Sequence, residues 1–188
     1  MPSARNDAPA PMPYQHAAHL LHPLRGLILS PGALMRRLGL PPDAHVLELG
    51  PGPGYFSPAL AAAVPQGGLT LVDIQPEMLA MARARLEASG LRGVRCVVGD
   101  AAALPLDDAS CDAAVLVAVL GELPDRPRAF AELRRVLRPG GLLSVTEQLG
   151  DPDALSRSGV RELVRAFGFA EERTSGNGRS FTLNARRV

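Results

Sequence analysis

Val46-Leu47-Glu48-Leu49-Gly50-Pro51-Gly52-Pro53-Gly54-Tyr55-Phe56 decides the fold. A short apolar strand runs into an acidic residue and then into three glycines separated by single residues. Glycine here lets backbone approach a ligand closely and lets the chain turn sharply into a helix. A second apolar run, Leu69-Thr70-Leu71-Val72, ends at Asp73, 19 residues after Gly54. That is about where the acid of a nucleotide-binding βαβ unit meets a ribose. The two features together point to a ligand that carries a ribose.

The glycine spacing narrows the ligand. Dinucleotide loops read G-x-G-x-x-G, whereas Gly50, Gly52 and Gly54 read G-x-G-x-G and position 55 is Tyr. Glu48 stands two residues before the first glycine, and a buried carboxylate repels a pyrophosphate strongly in a low-dielectric site. A ligand with a positive centre suits it. No Gly-Lys-Ser/Thr follows, which excludes a Walker loop.

Four segments in order extend this reading. Glu48 to Gly54 resembles the first motif of the class I S-adenosylmethionine-dependent methyltransferases. Val72-Asp73-Ile74-Gln75-Pro76-Glu77-Met78-Leu79 resembles their second motif, and Gly99-Asp100-Ala101-Ala102-Ala103-Leu104-Pro105 their adenine-contacting segment. Arg134-Arg135-Val136-Leu137-Arg138-Pro139-Gly140-Gly141 resembles the segment that closes a helix and opens the fifth strand. The resemblance covers roughly residues 44 to 187.

The rest of the chain alternates strand and helix. Strands are expected at 46–49, 69–72, 94–98, 113–118 and 142–146, with helices from about 55 to before Pro65, at 76–89, 126–137 and 155–167. Leu79, Ala82 and Leu86 form an apolar stripe, and Gly90 and Gly168 are helix stops. Pro139-Gly140-Gly141 is expected to break the chain before the fifth strand. Two last strands, 170–174 and 180–186, flank Ser175-Gly176-Asn177-Gly178, a hairpin signal. Near-continuous apolar strands between helices predict an α/β fold, a Rossmann-like, mostly parallel sheet covered on both faces, with an antiparallel C-terminal hairpin and an N-terminal helical lead-in. The resemblance implies seven strands in the order 3-2-1-4-5-7-6.

Three regions are expected: a disordered tail over 1–13, a helical lead-in or lid over 14–42, and the main domain over 43–188. Ser30 is a candidate N-cap with Pro31 at the first helical position, and Gly39 a stop. The chain has 188 residues, enough for one sizeable core. A net charge of +1 is no footprint for wrapping nucleic acid, and Arg134-Arg135 and Arg186-Arg187 read as solvated faces. Cys96 and Cys111 lack metal-type spacing and fit a reducing cytosol. No secretory signal is visible, and the longest apolar run, 113–120, is too short to span a bilayer. The expectation is a cytoplasmic protein with no metal and no nucleic-acid partner.

The resemblance implies S-adenosyl-L-methionine as cofactor and assigns residues to it. Gly50, Gly52 and Gly54 would let its methionine part lie on backbone, with Glu48 facing the amino group. Asp73 would accept both ribose hydroxyls and Ile74 would pack on the adenine. Asp100 would accept from the adenine amino group while the Ala101 amide donates to a ring nitrogen. Tyr55 would lie against the sulfonium or close the pocket. Leu116, Val117 and Ala118 fall where the family places residues between cofactor and acceptor. Glu122, Glu147 and His19 are the candidate bases or substrate anchors, with His16 and His22 also in the lead-in. His45 begins the first strand, at the wrong end of the sheet.

Departures limit the acceptor. No Asn/Asp-Pro-Pro-Tyr/Phe follows strand four, which argues against methylation of nucleobase amines or glutamine amides. Quinone C-methyltransferase signatures are not evident, and two cysteines match the arsenite enzymes poorly. No long insertion follows strand five, so the apolar lead-in, Leu20 to Leu40, must build most of the acceptor wall, or else lie on a membrane surface. The reading is in-line methyl transfer to a small, possibly hydrophobic acceptor. Its alternatives are a non-catalytic cofactor-binding scaffold and, further off, a nicotinamide-dependent oxidoreductase.

Overall fold

The computed structural model describes residues 11–21, 25–148 and 151–188; the side chains of Ala18, His19 and Arg25 lie outside that description. A single 3-10 turn, Tyr14–His16, opens it, followed by α1 (Ala17–Leu20), α2 (Arg25–Ile28) and α3 (Pro31–Leu38). Then β1 (His45–Leu49), α4 (Ser57–Ala63), β2 (Gly68–Asp73), α5 (Pro76–Ala88), β3 (Arg95–Val98) and β4 (Cys111–Val117) alternate. After a second 3-10 turn, Leu120–Glu122, come α6 (Arg126–Val136), β5 (Leu137–Gln148), α7 (Arg157–Ala166), β6 (Phe169–Gly176) and β7 (Ser180–Arg187).

Among the described residues seven strands form one sheet in the order β3-β2-β1-β4-β5-β7-β6. The first four ladders are parallel. β7 runs antiparallel to both β5 and β6. Leu47, Leu71, Ala114, Val115, Leu116 and Leu143 are wholly buried, as strands covered on both faces must be. One core lies against α6 and α7, around Phe130, Leu133, Val160 and Val164. The other lies against α3, α4 and α5, around Leu34, Leu60, Ala82 and Leu86.

The local signals act as the sequence suggests. The Ser30 hydroxyl accepts from the Ala33 N–H at 3.2 Å, Pro31 opens α3, and Gly39 closes it in the left-handed conformation at φ +61°. Leu29, Leu34 and Leu38 join the same core as Val46 and Leu71, so the lead-in packs into the domain. Its outer edge is held by polar groups. Arg37 donates to Ser180 Oγ and Thr182 Oγ1 at 3.1 and 3.2 Å, and Asn184 Nδ2 donates to the Arg37 carbonyl at 2.8 Å.

Three expectations change. Pro139-Gly140-Gly141 does not end the pairing. Leu137 already pairs with Cys111, the register slips across the proline–glycine segment, and Leu142 resumes against Ala113. A proline without an N–H is accommodated in a strand at such an irregularity. The paired arginines are not idle surface charges. Arg134 donates to the Gly168 carbonyl at 2.6 Å, and Arg135 to the carbonyls of Leu104 and Leu106 at 2.9 and 2.8 Å. Arg186 meets Glu172 at 2.9 Å and Arg187 bonds the Leu137 carbonyl. Finally, where a tail is expected to end, Met12 carries main-chain hydrogen bonds to Gln75 and Glu122. Residues 1–10 of that expected tail lie outside the described residues.

Candidate active site

Every parallel strand points its C-terminal end toward one edge of the sheet, and the strand order reverses between β1 and β4. Ligands of open α/β sheets bind at that crevice. A cavity of about 530 Å³ lies there, lined by residues following β1, β2, β3, β4 and β5 and by the lead-in.

The glycine loop forms its floor. Gly50 sits at φ +64°, and a Cβ there would come within 2.7 Å of Val119 Cγ2. Gly52 sits at φ +53°, with Leu20 Cδ1 at 3.4 Å from the same hypothetical atom. Any side chain on either would be backbone-strained, and at Gly50 it would collide with Val119. The loop is tied to its neighbour strand by the Gly50 N–H, which donates to the Val72 carbonyl at 2.8 Å.

Asp73 closes β2 and faces this loop. Its carboxylate accepts from the N–H groups of Gly52 and Gln75, at 3.2 and 3.0 Å. Burial raises its pKa, and the amides of Gln75, Gly52 and Ile74 pull the other way. A carboxylate has about four acceptor directions, and the Gly52 and Gln75 hydrogen bonds do not exhaust them. Next to it Ile74 is 50 % exposed in the cavity wall, an apolar face with nothing packed on half of it. Asp100 and Ala101 line the next stretch. The Asp100 carboxylate accepts from the Ala102 N–H at 2.8 Å, and Glu132 holds the Leu104 N–H at 2.7 Å, so the loop is pinned to α6.

Other elements complete the wall of the cavity. Val117, Ala118 and Val119 line it after β4, with Ala118 at φ +57°, and Leu20, Ile28, Leu123 and Pro124 supply apolar wall. Glu122 lines it and accepts from the Met12 N–H at 3.3 Å. Burial pushes the Glu122 carboxyl from its usual 4.5 up to about 7. The Met12 amide opposes this, and the carboxylates of Asp151, Asp153 and Asp73 add to it. Gln75 clasps the same strap, donating to the Met12 carbonyl at 2.8 Å and accepting from the Tyr14 N–H at 3.1 Å.

Of the residues read from sequence, the cavity gathers Gly50, Gly52, Asp73, Ile74, Asp100, Ala101, Val117 and Glu122. Four others do other work. Glu48 is 3 % exposed, outside the lining, and accepts from the Ser57 hydroxyl at 2.6 Å. Gly54 lies at φ +79° with the Ala82 Cα at 2.8 Å from a hypothetical Cβ, so its missing side chain lets α5 approach the loop. Tyr55 packs edge-on to Phe56, ring centroids 4.8 Å apart, outside the lining. Leu116 is wholly buried in the core and does not divide the cavity.

Glu147 is a separate case. It is 2 % exposed, and neither carboxylate oxygen has a hydrogen-bond partner among the described residues. Burial pushes it from 4.5 up to about 8. The Asp151 and Glu122 carboxylates add to this, while the Leu155 N–H and Arg126 oppose it. Strand alternation puts it on the face of Leu143 and Val145 and puts Gln148 on the face of Ser144 and Thr146. His19 belongs to α1, but its side chain lies outside the description, as does all of His22. His45 is exposed at the far end of β1, 3.6 Å from Asp112. Among the described residues no group of three or more His, Cys, Asp or Glu is placed to hold a metal. No described helix is long and apolar enough to cross a membrane.

Sequence reasoning did not single out Gln148, Asp151 and Met12, which all meet the site. Gln148 carries a signal, since it ends β5 at the edge where ligands bind; Met12 carries none, because its backbone alone takes part.

Comparison with known proteins agrees with this geometry. A family profile described as a methyltransferase domain matches residues 47–145. A malonyl-[acyl-carrier protein] O-methyltransferase from Methylococcus capsulatus is 43% identical over 110 residues, 58% of this chain and 39% of that protein. A demethylmenaquinone methyltransferase from Thermus thermophilus is 39% identical over 103 residues, 55% of this chain and 46% of that one. The chain thus matches less than half the length of these curated relatives. Among solved structures, a SAM-dependent methyltransferase from Aquifex aeolicus superposes with a TM-score of 0.88 at 23% identity, covering 95% of this chain and all of the other. At that identity the likeness speaks for the fold alone.

Proposed function

This chain belongs to the class I S-adenosylmethionine-dependent methyltransferases, and on that premise we propose that it transfers a methyl group to a small, mostly apolar acceptor. The observation that carries the reading is Asp73. It sits in the cavity at the end of β2, held by the Gly52 and Gln75 amides with acceptor directions to spare. The cradle fits the family's cofactor, since Gly50 and Gly52 line the cavity at positive φ with no side chain to stand over the backbone that a methionine part would lie on. Asp73 would hold the ribose hydroxyls, and Ile74, Asp100 and Ala101 the adenine. When bound, the cofactor supplies a methyl group on positively charged sulfur, whose C–S bond breaks as the bond to the acceptor forms.

The protein's part is placement. Val117 to Val119, with Leu20, Ile28 and Leu123, give the cavity an apolar wall that would exclude water around the reacting atoms. Holding two reactants in line is worth about 7–11 kcal/mol. Glu122, which lines the cavity, is our candidate for taking a proton from the acceptor. Raised to about 7, it can accept near neutral pH, a step worth roughly 10²–10⁴-fold. The lead-in acts as a lid by contributing Leu20 and Ile28 to the wall, beside Pro11 and Met12 from the segment before it. The acceptors named for the relatives differ from one another and are not carried over.

The reading is tested by incubating the purified chain with methyl-labelled cofactor and a pool of small metabolites. Label in an organic product supports transfer. Tight cofactor binding with no labelled product in any pool would favour a binding protein of the same fold.

A further inference from the structure

Where the lead-in lies against the C-terminal hairpin, positive charge collects without negative charge to meet it. Arg37 of α3 donates from Nη1 to Ser180 Oγ and Thr182 Oγ1 on β7. Arg173 of β6 donates from Nη2 to the Arg37 carbonyl at 2.7 Å, and Arg179, just before β7, from Nη1 to the Leu27 carbonyl at 3.2 Å. Each guanidinium thus commits one nitrogen to the fold, and a guanidinium has five N–H donors. Arg36, the neighbour of Arg37, is exposed and makes no hydrogen bond among the described residues. None of the four forms an ion pair among the described residues. The segments α2, α3 and β7 contain no acid, and the two acids of β6 are taken, Glu171 by Arg161 and Arg165 and Glu172 by Arg186. The residues outside the description hold one acid, Asp7.

Two further observations mark this face as one that is met by something else. Arg37 is half-buried, and burial pushes its pKa down with no neighbouring carboxylate to pull it back. Cations taken partly out of water are ordinarily paired. Leu27, whose carbonyl Arg179 holds, is 65 % exposed. The next residue, Ile28, lines the cavity, and Ser180 Oγ donates to its carbonyl at 3.2 Å. An apolar side chain set among arginines next to a ligand cavity has the composition of a protein interface.

We infer that this face is a docking surface for an acidic protein segment: its carboxylates take the spare N–H groups of Arg36, Arg37, Arg173 and Arg179, and an apolar side chain of the segment covers Leu27. Guanidinium forks match carboxylates two hydrogen bonds at a time. Nucleic acid suits the face less well. Single strands are held by stacking on aromatic rings, and Phe181, at 9 % exposure, lies beneath Arg157. A lipid surface suits it less well too, because anchoring there buries a row of apolar side chains, and beside these arginines Leu27 is the large one exposed among the described residues. The docking surface stands whether or not the cavity transfers methyl groups. It would seat its partner beside the cavity wall at Ile28.

The test titrates the full chain into a fluorescently labelled peptide, Glu-Glu-Leu-Glu-Glu-Leu-Glu-Glu, and reads anisotropy. The chain's net charge is only +1, so attraction of an acidic peptide reports a local patch. Binding should saturate and weaken at least about tenfold between roughly 50 and 300 mM salt. The same peptide with Gln for Glu should bind at least about tenfold more weakly, and with Ala for Leu about threefold more weakly. Leu27→Ser should abolish the second difference and keep the first. Arg36→Gln combined with Arg179→Gln should cost at least about fivefold in peptide affinity while S-adenosylhomocysteine affinity stays within about twofold. Arg36→Gln alone removes no hydrogen bond of the fold and should cost at least about twofold, which keeps the test in force if the pair folds poorly. Arg83→Gln combined with Arg92→Gln removes the same charge beside β3, at the opposite edge of the sheet, and should leave peptide affinity unchanged. No saturable binding, equal binding of the Gln peptide, or an equal loss from the Arg83 and Arg92 pair overturns the inference. Tighter binding of oligothymidylate, or of phosphatidylserine vesicles, than of the acidic peptide overturns it as well.

Discussion

Single residues carry the chemistry, and two carboxylates show how differently burial can be used. Asp73 is buried but served by two amides, so it can stay charged and hold hydroxyls. Asp73→Ala should weaken S-adenosylhomocysteine binding roughly ten- to a hundredfold by calorimetry, the 1.5–3 kcal/mol of hydrogen bonds to a charged group. Unchanged affinity would remove the ribose assignment. Glu147 is buried with neither oxygen hydrogen-bonded, and only the Leu155 amide and Arg126 favour its charged form. Its carboxyl holds a proton more tightly in the folded chain, up to about 8, than at its usual 4.5. It therefore adds no ionisation penalty below about pH 4.5, and a growing one as pH rises through 8. Asp151 and Glu122 deepen that penalty, and Arg126 and the Leu155 amide relieve it. Glu147→Gln should match the parent in thermal stability at pH 4.5 and exceed it at pH 9, by on the order of a few kcal/mol. Equal stability at both pH values would show that the carboxyl is solvated.

Between residues and molecule, the loop after β1 shows that glycines of one motif do separate jobs. Gly50 and Gly52 line the cavity, where an added Cβ would meet Val119 and Leu20, whereas Gly54 makes room for α5. Gly54→Ala should therefore destabilise the fold by about 2–5 kcal/mol, from left-handed backbone plus collision with the Ala82 backbone. At Gly39 the backbone is also left-handed but nothing lies within 4 Å of the added methyl, so Gly39→Ala should cost only about 1–2 kcal/mol. Urea denaturation distinguishes the two, and equal losses would deny the packing role. The sequence motif showed that all three positions need glycine but not why, because spacing reports backbone conformation and not the partner that approaches. The same limit applies at the end of β5. Glu147 and Gln148 are adjacent, and only the established sheet reveals that the second faces the cavity. The caps were legible from local chemistry alone. Ser30 and Gly39 act within a turn of their own position, and no tertiary context is needed to place them.

At the scale of the whole chain, the alternating apolar strands and helices were legible because each strand is buried on both faces and so reads as a continuous apolar run. The strand order was not legible from periodicity; it came with the resemblance, and the seven-stranded sheet has that order. What lay beyond both was the coupling of the lead-in to the far side of the sheet. Arg37, Ser180, Thr182 and Asn184 meet across more than 140 residues of sequence, and polar pairs at that separation leave no local pattern. The consequence is a cavity lined by the glycine loop, the ends of the strands and the lead-in, which come from distant stretches of chain. The direct measurement of this arrangement is calorimetric titration of the purified chain with S-adenosylmethionine and S-adenosylhomocysteine, with NADH as control. Saturable binding of both sulfur compounds at one site per chain, and none of NADH, is the predicted result. No heat from either at millimolar concentration, or tighter binding of NADH, would contradict it.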